Sequence, residues 1–279
     1  MGARSFHIKL IHGASVHLQE WGHGERACLL IHGFGEGSYV WHEFAPSVAS
    51  YYRTVAIDLR GHGDSDWNRD GNYDVETHVA DVIKVIRALG WHRIALVGHS
   101  MGGDIAIRVA AECGESILGL VVVDFGPILN SEGLQHNRET FRASNQIYRS
   151  VADYASWLSN RRPLVSPALL ERMAPCALRP RADGTFQRKT DPSLGSSEGD
   201  RLDYRPSESD LWALFKTMEW PVLLVRGEGS AVLPRDVAER MVKVIPNGRF
   251  RSVRFAGHDV MSDNPAGFAD AVLPFLLAL

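Results

Sequence analysis

Short, largely apolar runs punctuate the chain at 27–31, 93–97, 117–123 and 221–226 and read as buried strands. Two mixed runs, 53–58 and 249–255, extend the set. Between them the apolar period lengthens to that of a helix. Val75, Val79, Val82, Ile83, Ile86 and Leu89 follow it, and Gly90 supplies the stop. Residues 39–49, 104–111 and 234–244 also read as helical. A last helix opens at Asn264-Pro265, with proline in a first-turn position and Phe268, Val272, Phe275 and Leu276 on its apolar face. At the start, 6–11 and 16–21 alternate around His12-Gly13 and predict an antiparallel hairpin at a sheet edge. His7, His12 and His17 recur there. Five-residue spacing puts successive ones on opposite strand faces, so surface histidines are expected rather than a metal site.

Strands and helices alternating at this spacing predict right-handed parallel crossovers and an α/β fold. Ligands of such sheets bind beyond the carboxyl ends of the strands. His32, Ser100 and Asp124 each follow a strand immediately, so all three belong to one edge. The rhythm breaks from 126 to 218, where no apolar strand is expected. Helices are predicted at 137–149, 151–160, 167–173 and 208–218, around a polar stretch at 179–205. This segment reads as a helical cap over the active edge, with 1–125 and 219–279 as the core. Residues 126–182 hold eight arginines against four acids. A solvated cap surface accounts for them. The sharper reading is that one or two clamp a substrate carboxylate, with Arg138, Arg142, Arg161 and Arg162 as candidates.

Candidate chemistry centres on Gly98-His99-Ser100-Met101-Gly102, between a strand and a helix. This G-x-S-x-G pattern is a nucleophile elbow, in which glycines remove Cβ atoms that would collide in a tight turn. It sets the Ser100 hydroxyl beside the unpaired N–H groups of a helix N-terminus. After the first apolar strand comes His32-Gly33-Phe34-Gly35-Glu36-Gly37, where the Phe34 N–H fits the second half of an oxyanion hole. A serine nucleophile needs a base and an acid that orients the base. His258, in a Gly-His loop after the last strand, is the candidate base. His32 belongs to the oxyanion loop, and His99 is expected to point away from Ser100. The loop 59–66 reads as structural, with Arg60 and Asp64 pairing locally.

Composition narrows the class. The chain has 279 residues, 45% hydrophobic and 23% charged, which fits a globular protein with a sizeable core. A net charge of −3 gives no general attraction to nucleic acid or anionic membrane. No run approaches a membrane span, and the first residues lack the apolar core of a signal peptide. Gly2 is not followed by the Ser or Thr of a myristoylation signal, since Phe6 stands in that position. Cys28, Cys113 and Cys176 have no metal-binding spacing and are expected as free thiols in the cytoplasm, Cys28 as a core residue.

Together, His32-Gly33-Phe34-Gly35, Gly61-His62-Gly63-Asp64-Ser65, Gly98-His99-Ser100-Met101-Gly102-Gly103 and Gly257-His258 resemble the α/β-hydrolase superfamily. The resemblance implies a mostly parallel eight-stranded sheet with helices on both faces and a helical cap after strand six. It implies an oxyanion hole from the N–H groups of Phe34 and Met101, and no metal or organic cofactor. In many members the acid follows strand seven, but this chain has Ala231 there. A minority, which small-molecule amidohydrolases of pyridoxine breakdown resemble, place it after strand six. Asp124 is therefore the expected acid, with Glu228 second. His32, Gly33, His99 and Phe125 are expected to contact substrate. The expected activity is hydrolysis of a small-molecule carboxylic ester, lactone or amide. A C–C bond hydrolase, a lyase or cyclase, and a ligand-binding protein that has lost turnover are the alternatives. Oligomeric state is not legible.

Overall fold

The predicted strands assemble into a single eight-stranded sheet. The computed structural model describes residues 2–10, 13–195 and 208–279. Its strands, in chain order, are β1 (Arg4–Lys9), β2 (Ser15–Trp21), β3 (Ala27–Ile31), β4 (Arg53–Ile57), β5 (Ile94–His99), β6 (Ile117–Val123), β7 (Leu178–Pro180), β8 (Phe186–Arg188), β9 (Val222–Gly227) and β10 (Gly248–Val253). The large sheet runs β1-β2-β4-β3-β5-β6-β9-β10, while β7 and β8 form a separate hairpin. β2 is antiparallel to both β1 and β4, and every other neighbouring pair is parallel. The helices are α1 (Ala45–Val48), α2 (Val75–Ala88), α3 (Met101–Cys113), α4 (Ser131–Ser144), α5 (Val151–Ser159), α6 (Pro167–Ala177), α7 (Glu208–Lys216), α8 (Arg235–Val244), α9 (Val260–Asp263) and α10 (Pro265–Leu277).

Continuous apolar runs form the central strands because both faces of the sheet are covered. Leu29, Ile31 and Leu96 pack with α2 and α3 on one side. Cys28, Leu30 and Val97 pack with Phe268 and Val272 of α10 on the other. Register then aligns the strand ends: Ile31 pairs with Gly98, and His99 with Val123. All three cysteines are free, and Cys28 is buried. Among the described residues no helix is long and apolar enough to cross a membrane.

Several local expectations are corrected. Antiparallel pairing sets His7 opposite His17, and His17 is buried, its Nδ1–H donating to Asp58 Oδ2 at 2.8 Å; it is no surface histidine. His12 lies outside the described residues. Arg60 and Asp64 do not pair with each other. Arg60 makes a bidentate contact with Asp81 of α2 at 2.8 and 2.7 Å, and Asp64 takes Lys189 Nζ at 2.7 Å. The helix expected at 137–149 is α4, which starts earlier because the Asn130 side chain accepts the Gly133 N–H at 3.0 Å. α6 runs on past Met173 to Ala177, with Pro175 in its last turn. The polar stretch at 179–205 holds the β7–β8 hairpin, turned at Asp183-Gly184 with Gly184 at φ 81°. Residues 196–205 of that stretch lie outside the described residues.

Candidate active site

Three strand ends and one loop supply the reactive cluster. β5 turns directly into α3 through Ser100, whose backbone sits at φ 52° and ψ −121°. That turn requires glycine on both sides. A Cβ at Gly98 would stand 2.1 Å from the Gly102 carbonyl oxygen, and one at Gly102 would stand 2.4 Å from that of Ile31. Asp124, immediately after β6, also has positive φ, at 51°. Strained backbone held in place by surrounding structure marks both positions.

Ser100 Oγ–H donates to His258 Nε2 at 3.0 Å, and His258 Nδ1–H donates to Asp124 Oδ2 at 2.7 Å. Asp124 is fully buried. Glu228 is exposed, and His258 makes no hydrogen bond to it. Sequence reasoning missed Ser230, whose hydroxyl donates to the same Asp124 Oδ2 at 2.5 Å. Arg226 holds the Ser230 loop by donating to the carbonyls of Gly227, Glu228, Ser230 and Leu233. Thus the loop after β9 supplies a hydroxyl to an acid carried by β6. Its only sequence signal was the missing acid at Ala231.

Phe34 and Met101 flank the serine. Met101 is the first residue of α3, ahead of the helix's first internal donors, Gly103 and Asp104. The Phe34 N–H makes no intramolecular hydrogen bond among the described residues. Two histidines hold its loop from behind. His32 Nε2 accepts the Leu59 N–H at 2.9 Å while its Nδ1–H donates to the Gly33 carbonyl. His62 Nε2 accepts the Gly35 N–H at 3.1 Å. Burial depresses the pKa of both rings, so they remain neutral. His32 is therefore corrected from substrate contact to loop support, and neither it nor Gly33 reaches the cavity.

Ser100 and His258 open into a cavity of about 700 Å³. Its far wall comes from α4, α5 and the chain around Arg162 and Arg188. Phe125 lines a second recess of about 80 Å³ beside Ser100 and Met101. His99 lines the main cavity and turns away from the serine. Its Nε2–H donates to the His258 carbonyl at 2.9 Å, and its Nδ1–H to Glu36 Oε2 at 3.2 Å. Acceptors at both nitrogens require an imidazolium. Burial alone would lower the His99 pKa; the bond to Glu36 and the charges of Glu36 and Asp259 reverse this and raise it. Burial would likewise raise the Glu36 carboxyl, but His99 and Arg162 hold it well below the usual range. Arg162 completes the group with Nη2 at 2.6 Å from Asp259 and 3.2 Å from Glu36. Glu36, His99 and Asp259 present atoms within 4.8 Å of one another, as metal ligands would. Here two cations, His99 and Arg162, already answer the two carboxylates.

Of the four arginine candidates, Arg161 and Arg162 line the main cavity and Arg138 the smaller recess, whereas Arg142 lines neither. Arg142 instead donates to the Gly195 carbonyl at 2.7 Å.

A family profile described as the alpha/beta hydrolase fold matches residues 27–265. A 2-(acetamidomethylene)succinate hydrolase of Mesorhizobium japonicum is 26% identical over 262 residues, covering 94% of this chain and 91% of its own. An esterase of Mycobacterium tuberculosis is 26% identical over 271 residues, covering 95% and 87%. The crystal structure of an E-2-(acetamidomethylene)succinate hydrolase superposes with a TM-score of 0.88 at 23% identity, covering 98% of this chain and 99% of that one. With this match over most of its length and this sheet order, the chain belongs to the alpha/beta hydrolase family and is a hydrolase.

Proposed function

We propose that this hydrolase cleaves a carboxylic ester, lactone or amide of a small molecule through an acyl-enzyme on Ser100. The carrying observation is the continuous hydrogen-bonded path from Ser100 through His258 to the buried Asp124. His258 takes the Ser100 proton as Oγ attacks the carbonyl carbon. Asp124 holds the imidazole in the tautomer that accepts at Nε2 and stabilises the imidazolium that forms. The N–H groups of Phe34 and Met101 bind the oxyanion, each donor contributing about 3 kcal/mol. His258 then gives the proton to the leaving group. Water, deprotonated by the same ring, attacks the acyl-enzyme, and the ring returns that proton to the departing Ser100 Oγ as the acid is released.

In this reading 126–218 acts as a cap and 1–125 with 219–279 as the core. The cavity of about 700 Å³ and the small substrate named for the Mesorhizobium relative both favour a metabolite over a polymer. Asp124 supplies the carboxylate that a chain lacking the strand-seven acid needs, which weighs against lost turnover. Of the expected contact residues, His99 and Phe125 line the recesses that open at Ser100, which supports a substrate-contact role for them.

A fluorophosphonate probe tests the assignment. The expected result is one label, on Ser100, that Ser100→Ala removes together with hydrolysis of ester, lactone and amide panels. Labelling without hydrolysis of any panel would point to lyase or cyclase chemistry, and hydrolysis surviving in Ser100→Ala would overturn the mechanism.

A further inference from the structure

Two arginines in the cavity wall have opposite surroundings. Arg162 faces two carboxylates. Arg188, at the end of β8, is only 8% exposed and faces none. Its Nη1 donates to Ser144 Oγ at 2.6 Å, and its Nη2 donates to the Gly35 carbonyl. The Tyr39 hydroxyl lies against it, and its Cζ stands 5.4 Å from the centroid of the Phe141 ring. All these neighbours are neutral. Among the described residues no carboxylate reaches ion-pair distance, and Nε–H has no partner at all. A guanidinium cannot shed its proton, and burying its charge without a counterion is costly.

Arg188 lines the same cavity as Ser100 and His258. Gly35, which it holds, directly follows Phe34, the proposed oxyanion donor. An anion on Arg188 would therefore belong to the molecule being cleaved. We infer that Arg188 is a specificity-determining residue that binds a carboxylate of the substrate, selecting short acids whose carboxylate lies a few bonds from the scissile acyl group. This rests on the reading of Ser100 as nucleophile. One buried, uncompensated charge matches a carboxylate better than a phosphate dianion. Arg161 sits outside this count, being exposed and stacked 4.1 Å from the Trp157 centroid.

The test pairs two activated esters of equal length, the mono-p-nitrophenyl ester of glutaric acid and p-nitrophenyl valerate. The readout is the acid-to-neutral ratio of kcat/KM. The wild-type ratio is expected above one, and Arg188→Gln should lower it on the order of 10–100-fold. Arg188→Lys, which keeps the charge and loses the fork, should lower it less. An unchanged ratio in both variants overturns the proposal. Calorimetry of glutarate binding to Ser100→Ala, with and without Arg188→Gln, reads the same contact without turnover. Binding that needs Arg188 supports the assignment even if neither ester is cleaved, in which case the nucleophile reading alone has failed. Cleavage of both esters with no glutarate binding leaves that reading standing and removes this one. Inorganic phosphate displacing glutarate as the tighter ligand also overturns it.

Discussion

The two walls of the cavity are built differently. On the sheet side, Ser100, Asp124 and His258 are placed by strand ends and tight turns, and two of the three residues sit at positive φ. On the facing side, Arg162 and Arg188 come from a segment with weak apolar patterning and are held by side-chain contacts. The first wall fixes geometry through backbone that cannot relax. The second sets charge and shape through side chains that can be exchanged. Substitutions in the first should therefore abolish chemistry, and those in the second should shift stability or selectivity.

His258→Ala is the most severe expected break. Removing the proposed base should lower kcat on the order of a million-fold while Tm barely moves. A loss under a hundredfold would mean that Ser100 is activated otherwise. Asp124→Asn should follow at about ten-thousand-fold, because the amide no longer fixes the His258 tautomer. The exposed Glu228 is the control, and Glu228→Gln should change kcat within about twofold. The reverse ranking would transfer the acid to the loop after β9.

The difference between the walls also explains what the sequence made legible. Strand runs, the elbow and the order Ser, acid, His are local or topological, so they survive in a one-dimensional reading. α4 was misplaced because only Gly133, Phe141 and Ser144 of its fourteen residues are buried, which leaves little apolar periodicity. The β7–β8 hairpin has strands of three residues, too short for a run, although Asp183-Gly184 was a usable turn signal. Arg188 lies beyond the 126–182 window whose arginines stand out, and a count of charges in any window cannot tell a paired arginine from an unpaired one. His32 looked like a site residue by its place after β3; only the bonds to Leu59 and Gly33 reveal a support.

Arg162→Met probes the second wall. It leaves Glu36 and Asp259 facing one another beside a single imidazolium, so the fold should lose about 3–5 kcal/mol. Chemical denaturation would read this directly, and a loss below about 1 kcal/mol would show the group to be solvated. Ser230→Ala takes one donor from the Asp124 carboxylate without touching His258. Hydrogen bonds to charged groups contribute about 1.5–3 kcal/mol, so kcat should fall about 10–100-fold with KM nearly constant. A change confined to KM would move Ser230 from supporting the acid to touching substrate.

The smallest effect distinguishes the walls by pH. Asp263, at the end of α9, accepts the Gly257 N–H at 2.8 Å, and its pKa is raised to about 6, by burial first and by the charge of Asp259 second. In the unfolded chain the value returns to about 4. Below about pH 4 the carboxyl is protonated in both states, and ionisation exacts no penalty. Between about pH 4 and 6 the unfolded chain ionises while the folded one resists, so stability falls as pH rises, and above about pH 6 the loss is complete. Two pKa units correspond to about 3 kcal/mol, which partial exposure and screening reduce to about 1–2 kcal/mol. Asp263→Asn keeps an acceptor for Gly257 and carries no charge. It should raise Tm near pH 8 and leave it unchanged near pH 4. A gain of equal size at both pH values would trace to packing instead, and the loop that carries His258 would then be free of the charge strain assigned to it.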